Sequence, residues 1–378
     1  KLTNSIYFNQ RLFDGKLPFG SGGIVDLNRS FWGYKLNMNF KGLLNYDLGL
    51  SYNSQKDDRQ RFINDEGVKT DQVMGQYENY ENISLYFFGS KSIQRFNFSV
   101  GARLENNIIS MEGYFNPVEK KIKKINSFNP SINILYELNK IDLFGNFSSG
   151  YETPTLNELS ATANQSGFNE NLKTIKSNTF EFGFANFRTN QTVNYSLRLF
   201  NISTSNEITP YQLSDGLVLY RNAGKTIKRG AEIELGVKIT DQLNFDYSAS
   251  VGKYMFESFK FIENDFSNNI MPGIPQSNQS IKLSYTNENN YNLIVGLKRV
   301  GKMFADNANE TEIDGYNSVS IKMSKNLKIF KTSMIPFISI DNLLNEKYFD
   351  NIRINAFGSR FYEPASGINI VGGLKINL

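Results

Sequence analysis

Cysteine and histidine are both absent from this chain of 378 residues. Without cysteine, the chain can form no disulfide, no thiolate metal site and no thiol nucleophile. Without histidine, it can form neither a Ser-His-Asp triad nor an imidazole metal ligand. We therefore expect no enzyme, no catalytic residue, no metal site and no cofactor, and only a site built from two carboxylates stays open.

Long apolar runs are also missing, and none approaches the roughly 18 residues of a membrane-spanning helix. The mean hydropathy is -0.40, although 14% of the residues are aromatic. The net charge of +4 is too small to indicate a nucleic-acid partner. These absences exclude a helical membrane protein and favour a binding, transport or structural protein.

A two-residue alternation of apolar and polar side chains recurs along the whole chain. In residues 96–105, for example, Phe96 and Phe98 alternate with Asn97 and Ser99. Successive side chains of a strand point to opposite faces, so each such strand has one apolar and one polar face. About sixteen such strands, with aromatic residues near their ends, predict an all-β fold: a transmembrane antiparallel β-barrel with hydrocarbon outside and a polar interior.

Short and long connections alternate between the predicted strands. The short ones include Gly89-Ser90-Lys91. The long ones lie near residues 14–29, 55–73, 111–124, 153–174, 209–224, 259–272, 305–314 and 349–365. Outer-membrane barrels have short periplasmic turns and long extracellular loops. We expect a single barrel domain over residues 1–378 and no second domain.

Five segments between residues 150 and 378 resemble those of TonB-dependent outer-membrane receptors. They are Gly150 to Leu159, Leu172 to Phe184, Asn222 to Glu232, Asp341 to Tyr348, and Tyr362 to Asn369. The resemblance implies a barrel of about 22 strands that follows a plug domain. This chain would be the C-terminal part of that barrel, and the plug and first strands would be absent from it.

The resemblance also implies location and function. It places the protein in the outer membrane of a Gram-negative bacterium, in contact with lipid and lipopolysaccharide. A receptor of this family imports a scarce ligand with energy that TonB transmits through the plug. We expect a ferric siderophore first, then cobalamin, a sugar or a peptide, and a surface lipoprotein is an optional partner. A complete passive porin of about 16 strands, or a structural barrel in a secretion or surface assembly, stays open.

Two groups of side chains are candidates for the site. Arginine and aromatic residues on or beside the long connections suit an anionic ligand: Tyr211, Tyr220, Arg221, Arg353, Arg360, Phe361 and Tyr362. Charged residues at polar positions of the strands would line the lumen and face the plug: Arg103, Glu105, Glu181, Arg198, Glu232 and Glu234.

Two further groups lie in the predicted outer loops. The compact run Lys120, Lys121, Lys123 and Lys124 could attract the phosphates of lipopolysaccharide. Asp14, Asp57 and Asp58 offer oxygen ligands for a cation, although their spacing matches no known loop motif.

Overall fold

The computed structural model describes residues 1–17, 20–115, 117–159, 167–186, 191–213, 218–329, 332–359 and 361–377. The fold is all-β, and one short 3-10 turn spans Phe357–Ser359. Strands β1 to β13 are Leu2–Lys16, Ile24–Phe40, Asn45–Asp65, Val68–Ile93, Phe96–Phe115, Val118–Glu137, Asp142–Glu152, Ile175–Asn186, Val193–Ser205, Ile208–Gln212, Val218–Asn222, Lys225–Lys238 and Leu243–Ser258. Strands β14 to β25 are Lys260–Phe261, Asn264–Asp265, Ser277–Thr286, Tyr291–Val300, Met303–Phe304, Glu312–Ile313, Tyr316–Lys325, Leu327–Ile329, Thr332–Asp341, Phe349–Ile352, Tyr362–Pro364 and Asn369–Asn377.

The chain divides into two compact units. Unit 1 contains Lys1–Tyr136, Gly145–Phe180 and Ser203–Lys225, and unit 2 contains Glu137–Phe144, Glu181–Ile202 and Thr226–Leu378. The main sheet has 17 strand segments. Segments β20 and β21 both pair with β22, so they act as one strand, and the predicted number of about sixteen is confirmed. No helix in the described part of the chain has the length and apolar character needed to cross a bilayer.

In unit 1, strands β1 to β6 pair with one another in chain order, and each ladder is antiparallel. The predicted loop over 55–73 is wrong, because β3 and β4 continue through it and turn only at Glu66 and Gly67. Both residues have positive φ, 49° and 90°, which closes the hairpin in two residues. The predicted loop over 111–124 is likewise mostly strand, since it contains the ends of β5 and β6.

The predicted turn at Gly89 is also wrong. Strand β4 continues to Ile93, and the chain turns at Gln94, where φ is 53°. A Cβ atom on Gly89 would lie only 2.9 Å from Phe87 Cζ. The glycine therefore serves close packing of an aromatic ring within the strand, although glycine next to serine in sequence is typical of a turn.

In unit 2, β13, β16, β17, β20, β22 and β25 pair in that order, again antiparallel. Strand β22 ends at Asp341. Asn342 and Asn345 have positive φ, and Asn342 Oδ1 accepts a hydrogen bond of 2.9 Å from the backbone N–H of Glu346. An asparagine turn therefore ends the strand.

The long connections contain structure of their own. Strand β10 pairs with β11 in unit 1, and β14 with β15, β18 with β19, and β23 with β24 form short hairpins in unit 2. Each unit has an apolar cluster built largely from these connections. The apolar cores therefore lie beside the connections, where residues that carry function would also lie.

Candidate functional site

The two faces of the strands in unit 1 differ in polarity and burial. On one face, Ser51, Asn82 and Ser84 are buried, and the two serine hydroxyls are 2.6 Å apart. On the other face, Leu48 is 41% exposed and Leu85 is 51% exposed. We call these the polar face and the apolar face. A sheet that buries serine and exposes leucine fits a protein surrounded by hydrocarbon.

The apolar face ends partway along β3. Leu48, Leu50 and Tyr52 are followed at the same alternate positions by Lys56 and Asp58. A lysine at the bilayer midplane costs about 2–4 kcal/mol, so charged residues on this face mark the edge of the hydrocarbon. The part of β3 after Tyr52 therefore extends beyond the membrane.

Five charged side chains meet on the polar face of this extension. We call them the inner charge cluster: Arg29, Asp57, Arg59, Arg61 and Glu78. Arg29 Nη2 lies 2.6 Å from Asp57 Oδ2, and Arg59 Nε lies 3.1 Å from Glu78 Oε1. The side chains of Asp57 and Glu78 have no exposed area. Buried charges of this kind need partners, and the strand register supplies them by placing Asp57 between Arg29 and Glu78.

Burial is the largest effect on the pKa values of Glu78 and Arg61. It raises the pKa of the Glu78 carboxyl, against the opposing effects of Arg59 and of a hydrogen bond of 2.6 Å from Gln76 Nε2. Burial and the neighbouring Arg59 lower the pKa of Arg61 to about 10. Since three guanidinium groups accompany two carboxylates, the cluster has an excess of positive charge.

A segment of the long connection after β7 lies over the cluster. We call residues 153–159 and 167–174 the cover segment. Arg59 Nη1 donates to Asn157 Oδ1 at 3.4 Å, and the backbone N–H of Gly167 donates to Gln76 Oε1 at 3.0 Å. Within the segment, Glu158 Oε2 accepts from the backbone N–H of Thr155 at 2.8 Å, as in a capping box. These contacts keep water from the ion pairs.

The cover segment is anchored mainly by apolar packing. Its buried leucines and phenylalanine join side chains of β5 and β6 in one cluster: Ile109, Met111, Ile125, Leu156, Leu159, Phe168 and Leu172. Lys123 adds polar contacts, because its Nζ donates to the carbonyl oxygens of Glu170 and Leu172 at 2.9 and 2.7 Å. The segment is therefore a fixed part of unit 1.

Three of the residues predicted to bind ligand lie on the β10–β11 hairpin of unit 1. Arg221 Cζ is 4.9 Å from the ring centroid of Tyr211, and burial lowers the pKa of the Arg221 guanidinium. Tyr220 packs against the apolar cluster of the cover segment, and burial raises the pKa of its hydroxyl. The hairpin and the cover segment thus form one surface, and the role of these residues in binding stays a prediction.

The other predicted ligand residues belong to unit 2, where Tyr362 begins β24 and Arg353 and Phe361 lie between β23 and β24. Arg353 Nε donates to Glu363 Oε1 at 2.6 Å, and the rings of Phe349 and Tyr362 contact each other at a tilt of 30°, with centroids 4.5 Å apart. Phe361 is only 7% exposed, because it packs in the apolar cluster of unit 2. Arg360 lies outside the described residues.

The charged residues predicted for the lumen lie on strands, and several are paired. In unit 1, Arg103 Nε donates to Glu105 Oε1 at 2.6 Å, and Arg103 Nη2 donates to the Ser84 hydroxyl at 3.2 Å. This places both charges on the polar face. In unit 2, Arg198 Nη1 lies 3.2 Å from Glu232 Oε2.

Two more of these residues belong to unit 2. Glu181 lies in β8, and Glu234 lies in β12. Glu234 lines a shallow cleft with Asn194, Asp246 and Lys282, where Lys282 Nζ is 3.0 Å from Asp246 Oδ2. That these residues face a plug stays a prediction.

The predicted compact patch of four lysines is corrected by the register of β6. These residues lie in a strand rather than a loop, so alternate side chains point to opposite faces. Lys121 and Lys123 share the polar face with Ile125, and Lys121 forms an ion pair with Glu170. Lys120 and Lys124 lie on the other face.

The three aspartates considered for a cation are not brought together either. Asp57 lies on the polar face and pairs with Arg29, whereas Asp14 and Asp58 line a groove on the opposite face. Asp58 Oδ1 there accepts a hydrogen bond of 2.8 Å from the Tyr114 hydroxyl. Across the described ranges, no group of three acidic residues could hold a metal ion.

The sequence reading missed the inner charge cluster, apart from Asp57. The stretch from Gln55 to Arg61 is polar at every position, so it has no apolar alternation that would identify a strand. A signal was nevertheless present, because Asp57, Arg59 and Arg61 follow Ser51 and Asn53 at alternate positions.

Antiparallel strands with an apolar outer belt, a polar buried face and ordered hairpins beyond the belt define an outer-membrane β-barrel. A family model described as "TonB dependent receptor-like, beta-barrel" matches residues 1–343. The chain belongs to this family, which is located in the outer membrane of Gram-negative bacteria, as the sequence segments predicted.

Solved structures with the same fold include several receptors. The ferric yersiniabactin uptake receptor FyuA from Yersinia pestis aligns with a TM-score of 0.75 and 15% identity, over 99% of this chain and 58% of that one. The ferric citrate transporter FecA aligns with a TM-score of 0.79 and 16% identity, over 100% and 59%. The siderophore receptor PiuA from Acinetobacter baumannii aligns with a TM-score of 0.75 and 14% identity, over 100% of this chain and 62% of that one. This chain therefore spans about three fifths of the length of these structures.

Proposed function

We propose that the native protein imports a scarce, anionic small-molecule ligand across the outer membrane, and that a ferric siderophore is the first candidate. Membership of the receptor family supports import, and the solved relatives named above support an iron chelate. The observation that carries the proposal is the β10–β11 hairpin, which places Arg221 Cζ 4.9 Å from the ring centroid of Tyr211. Siderophore chelates with free carboxylates or net negative charge suit such a surface.

Energy coupling is part of the same proposal. TonB would act on a plug held against the polar face of unit 1, where Arg103 and Glu105 would contact it. Arg198 of unit 2 is a further candidate for a plug contact. The chain would then supply barrel wall and extracellular hairpins, and no covalent chemistry. A surface lipoprotein stays an optional partner.

Uptake by whole cells tests the proposal. A strain that lacks the native gene is complemented with the native protein, and accumulation of radiolabelled iron is measured with a panel of chelates. We expect uptake of at least one anionic chelate that stops when a protonophore removes the proton gradient. Arg221→Gln should raise the half-saturating concentration roughly tenfold, whereas Arg229→Gln, which removes the same charge from strand β12, should not.

Conductance distinguishes the proposal from the passive porin. The native protein is inserted into planar bilayers at a fixed voltage. A receptor whose lumen is filled should give no steady current. A steady, ohmic current together with uptake that resists the protonophore would favour a porin and contradict active import.

We also propose that lipopolysaccharide contacts only part of the lysine run. Lys120 and Lys124 flank the exposed Ile122 on the apolar side of β6, whereas Lys121 and Lys123 contact the cover segment. The double variant K120Q/K124Q should therefore copurify with less lipopolysaccharide than the native protein. The double variant K121Q/K123Q is the matched control, and equal loss in both would contradict the proposal.

A further inference from the structure

A groove lies in unit 2, on a strand face with exposed apolar side chains, next to the short turn between β16 and β17. Its walls include Tyr285, Tyr291, Met323, Lys325, Pro336 and Ile338. The register places Tyr291 opposite Lys325, and Met323 opposite Ile338, so these side chains occupy one face of β17, β20 and β22. The groove is therefore open towards the surrounding lipid.

Lys325 is held in a defined position at one end of the groove. Its Nζ donates to the Tyr291 hydroxyl at 2.7 Å and lies 4.2 Å from the centroid of the same ring. The ammonium group has donors left over, since it carries three. The tyrosine hydroxyl accepts from the lysine and keeps its own proton for another acceptor. Two donors are thus available at one point on a lipid-facing surface.

The rest of the groove is apolar and open. Met323 is 48% exposed and Ile338 is 40% exposed. On this face of β17 and β20, within the described residues, the other charged side chain is Arg299, at the opposite ends of the strands. Lys325 is therefore a single positive charge beside a hydrocarbon-lined groove, which complements a molecule with an anionic head and an alkyl chain.

The side of the membrane on which the groove lies determines which lipids it can contact. The connection from Thr286 to Tyr291 is short, and in outer-membrane barrels the short turns are periplasmic. The lipids of the periplasmic leaflet are glycerophospholipids. We propose that this groove binds one anionic glycerophospholipid of that leaflet, whose phosphate accepts hydrogen bonds from Lys325 and Tyr291 and whose acyl chain lies along Met323 and Ile338.

Native mass spectrometry of the purified native protein in detergent tests this site. After delipidation, the protein is mixed with equal amounts of dioleoyl phosphatidylglycerol and dioleoyl phosphatidylcholine. We expect one retained phosphatidylglycerol per protein and little phosphatidylcholine. Lys325→Gln should reduce retention roughly fivefold, because one lysine near the headgroup supplies the charge attraction.

Lys322→Gln is the matched control. Lys322 lies on the same strand but on the face opposite the groove, with its Nζ 5.2 Å from the ring centroid of Phe337. It should retain the lipid as the native protein does. Ile338→Trp should fill the groove and reduce retention while Lys325 keeps its charge, so it decides the question if Lys325→Gln does not assemble. Equal retention of both lipids, or full retention by the Lys325 and Ile338 variants, would overturn the proposal.

Discussion

An ion pair of the inner charge cluster in unit 1 and an ion pair on a strand face in unit 2 differ in their access to water. The side chains of Arg59 and Glu78 in unit 1 are 7% and 0% exposed, whereas those of Lys282 and Asp246 in unit 2 are each 50% exposed. Strand length is one cause, since β3 has 21 residues and β16 has 10. The cover segment is the other. Pairs of the same type therefore have different energetic weights according to what lies over them.

The largest expected effect comes from breaking a buried pair. Arg59→Met leaves Glu78 buried without its partner, which should lower the free energy of unfolding by about 3–5 kcal/mol. The measurement is denaturant unfolding of the native protein in detergent. Arg198→Met in unit 2 is the control and should cost less than about 1 kcal/mol, because both members of its pair are exposed. Equal losses would remove the distinction between the two units.

Removal of a buried apolar side chain from the cover segment should loosen its attachment to unit 1. Leu159 is fully buried, so Leu159→Ala should cost about 2–4 kcal/mol through the cavity that it leaves. Hydrogen exchange of residues 167–174 should accelerate in this variant. Ile122→Ala, at a position that is 56% exposed, should leave that exchange unchanged. Unaltered exchange in the Leu159 variant would show that the segment is held by its polar contacts alone.

Two carboxylates should respond to pH in opposite directions. Burial raises the pKa of Glu78 above the ordinary value of 4.5, so its contribution to stability is full below that value and is lost as pH rises through the folded-state pKa. Hydrogen bonds from Asn351 and Arg353 lower the pKa of Glu363, so its contribution is present above 4.5 and is lost as pH falls through the folded-state pKa.

Variants isolate these two contributions. The unfolding free energy of Glu78→Gln should improve relative to the native protein as pH rises from 5 to 8, whereas that of Glu363→Gln should improve only as pH falls below 4.5. Titration curves of unfolding for the three proteins provide the comparison. Parallel curves for Glu78→Gln and the native protein would mean that the Glu78 carboxyl is not buried in solution.

The smallest effect is expected at the exposed pair of unit 2. Lys282→Gln should change the unfolding free energy by less than about 1 kcal/mol, and the change should shrink in high salt. Unfolding at two salt concentrations measures it. A large, salt-independent loss would show that something covers Asp246 and Lys282 in the native protein, such as the proposed plug.

The sequence was sufficient to predict a strand wherever one face of that strand is apolar. The alternation from Phe96 to Leu104 predicted β5 correctly, and the general pattern predicted the all-β class and the number of strands. It failed beyond the hydrocarbon, because both faces of β3 are polar from Asn53 to Arg61. The same loss of contrast concealed the inner charge cluster, whose members approach one another only through the register of three strands.

Packing partners were equally beyond the reach of the sequence. Phe361 and Tyr220 were predicted to bind ligand because aromatic residues in long connections often do so. The structure places both against apolar clusters that contain residues from distant segments. The prediction of a single lysine patch was wrong for a simpler reason. Four lysines close in sequence were assumed to share one surface, but they lie in a strand, where alternate side chains point to opposite faces.

The hairpin of β3 and β4 has a consequence for access from outside the cell. From Tyr52 to the turn at Glu66 and Gly67, strands tilted by about 40° rise roughly 35 Å above the hydrocarbon. Among the described residues, apart from the immediate chain neighbours, no atom lies within 4 Å of a Cβ on Gly67, so there is room for a side chain at the tip. A short epitope inserted there would be displayed at the height of the lipopolysaccharide sugars, where antibodies and bacteriophages first meet the cell.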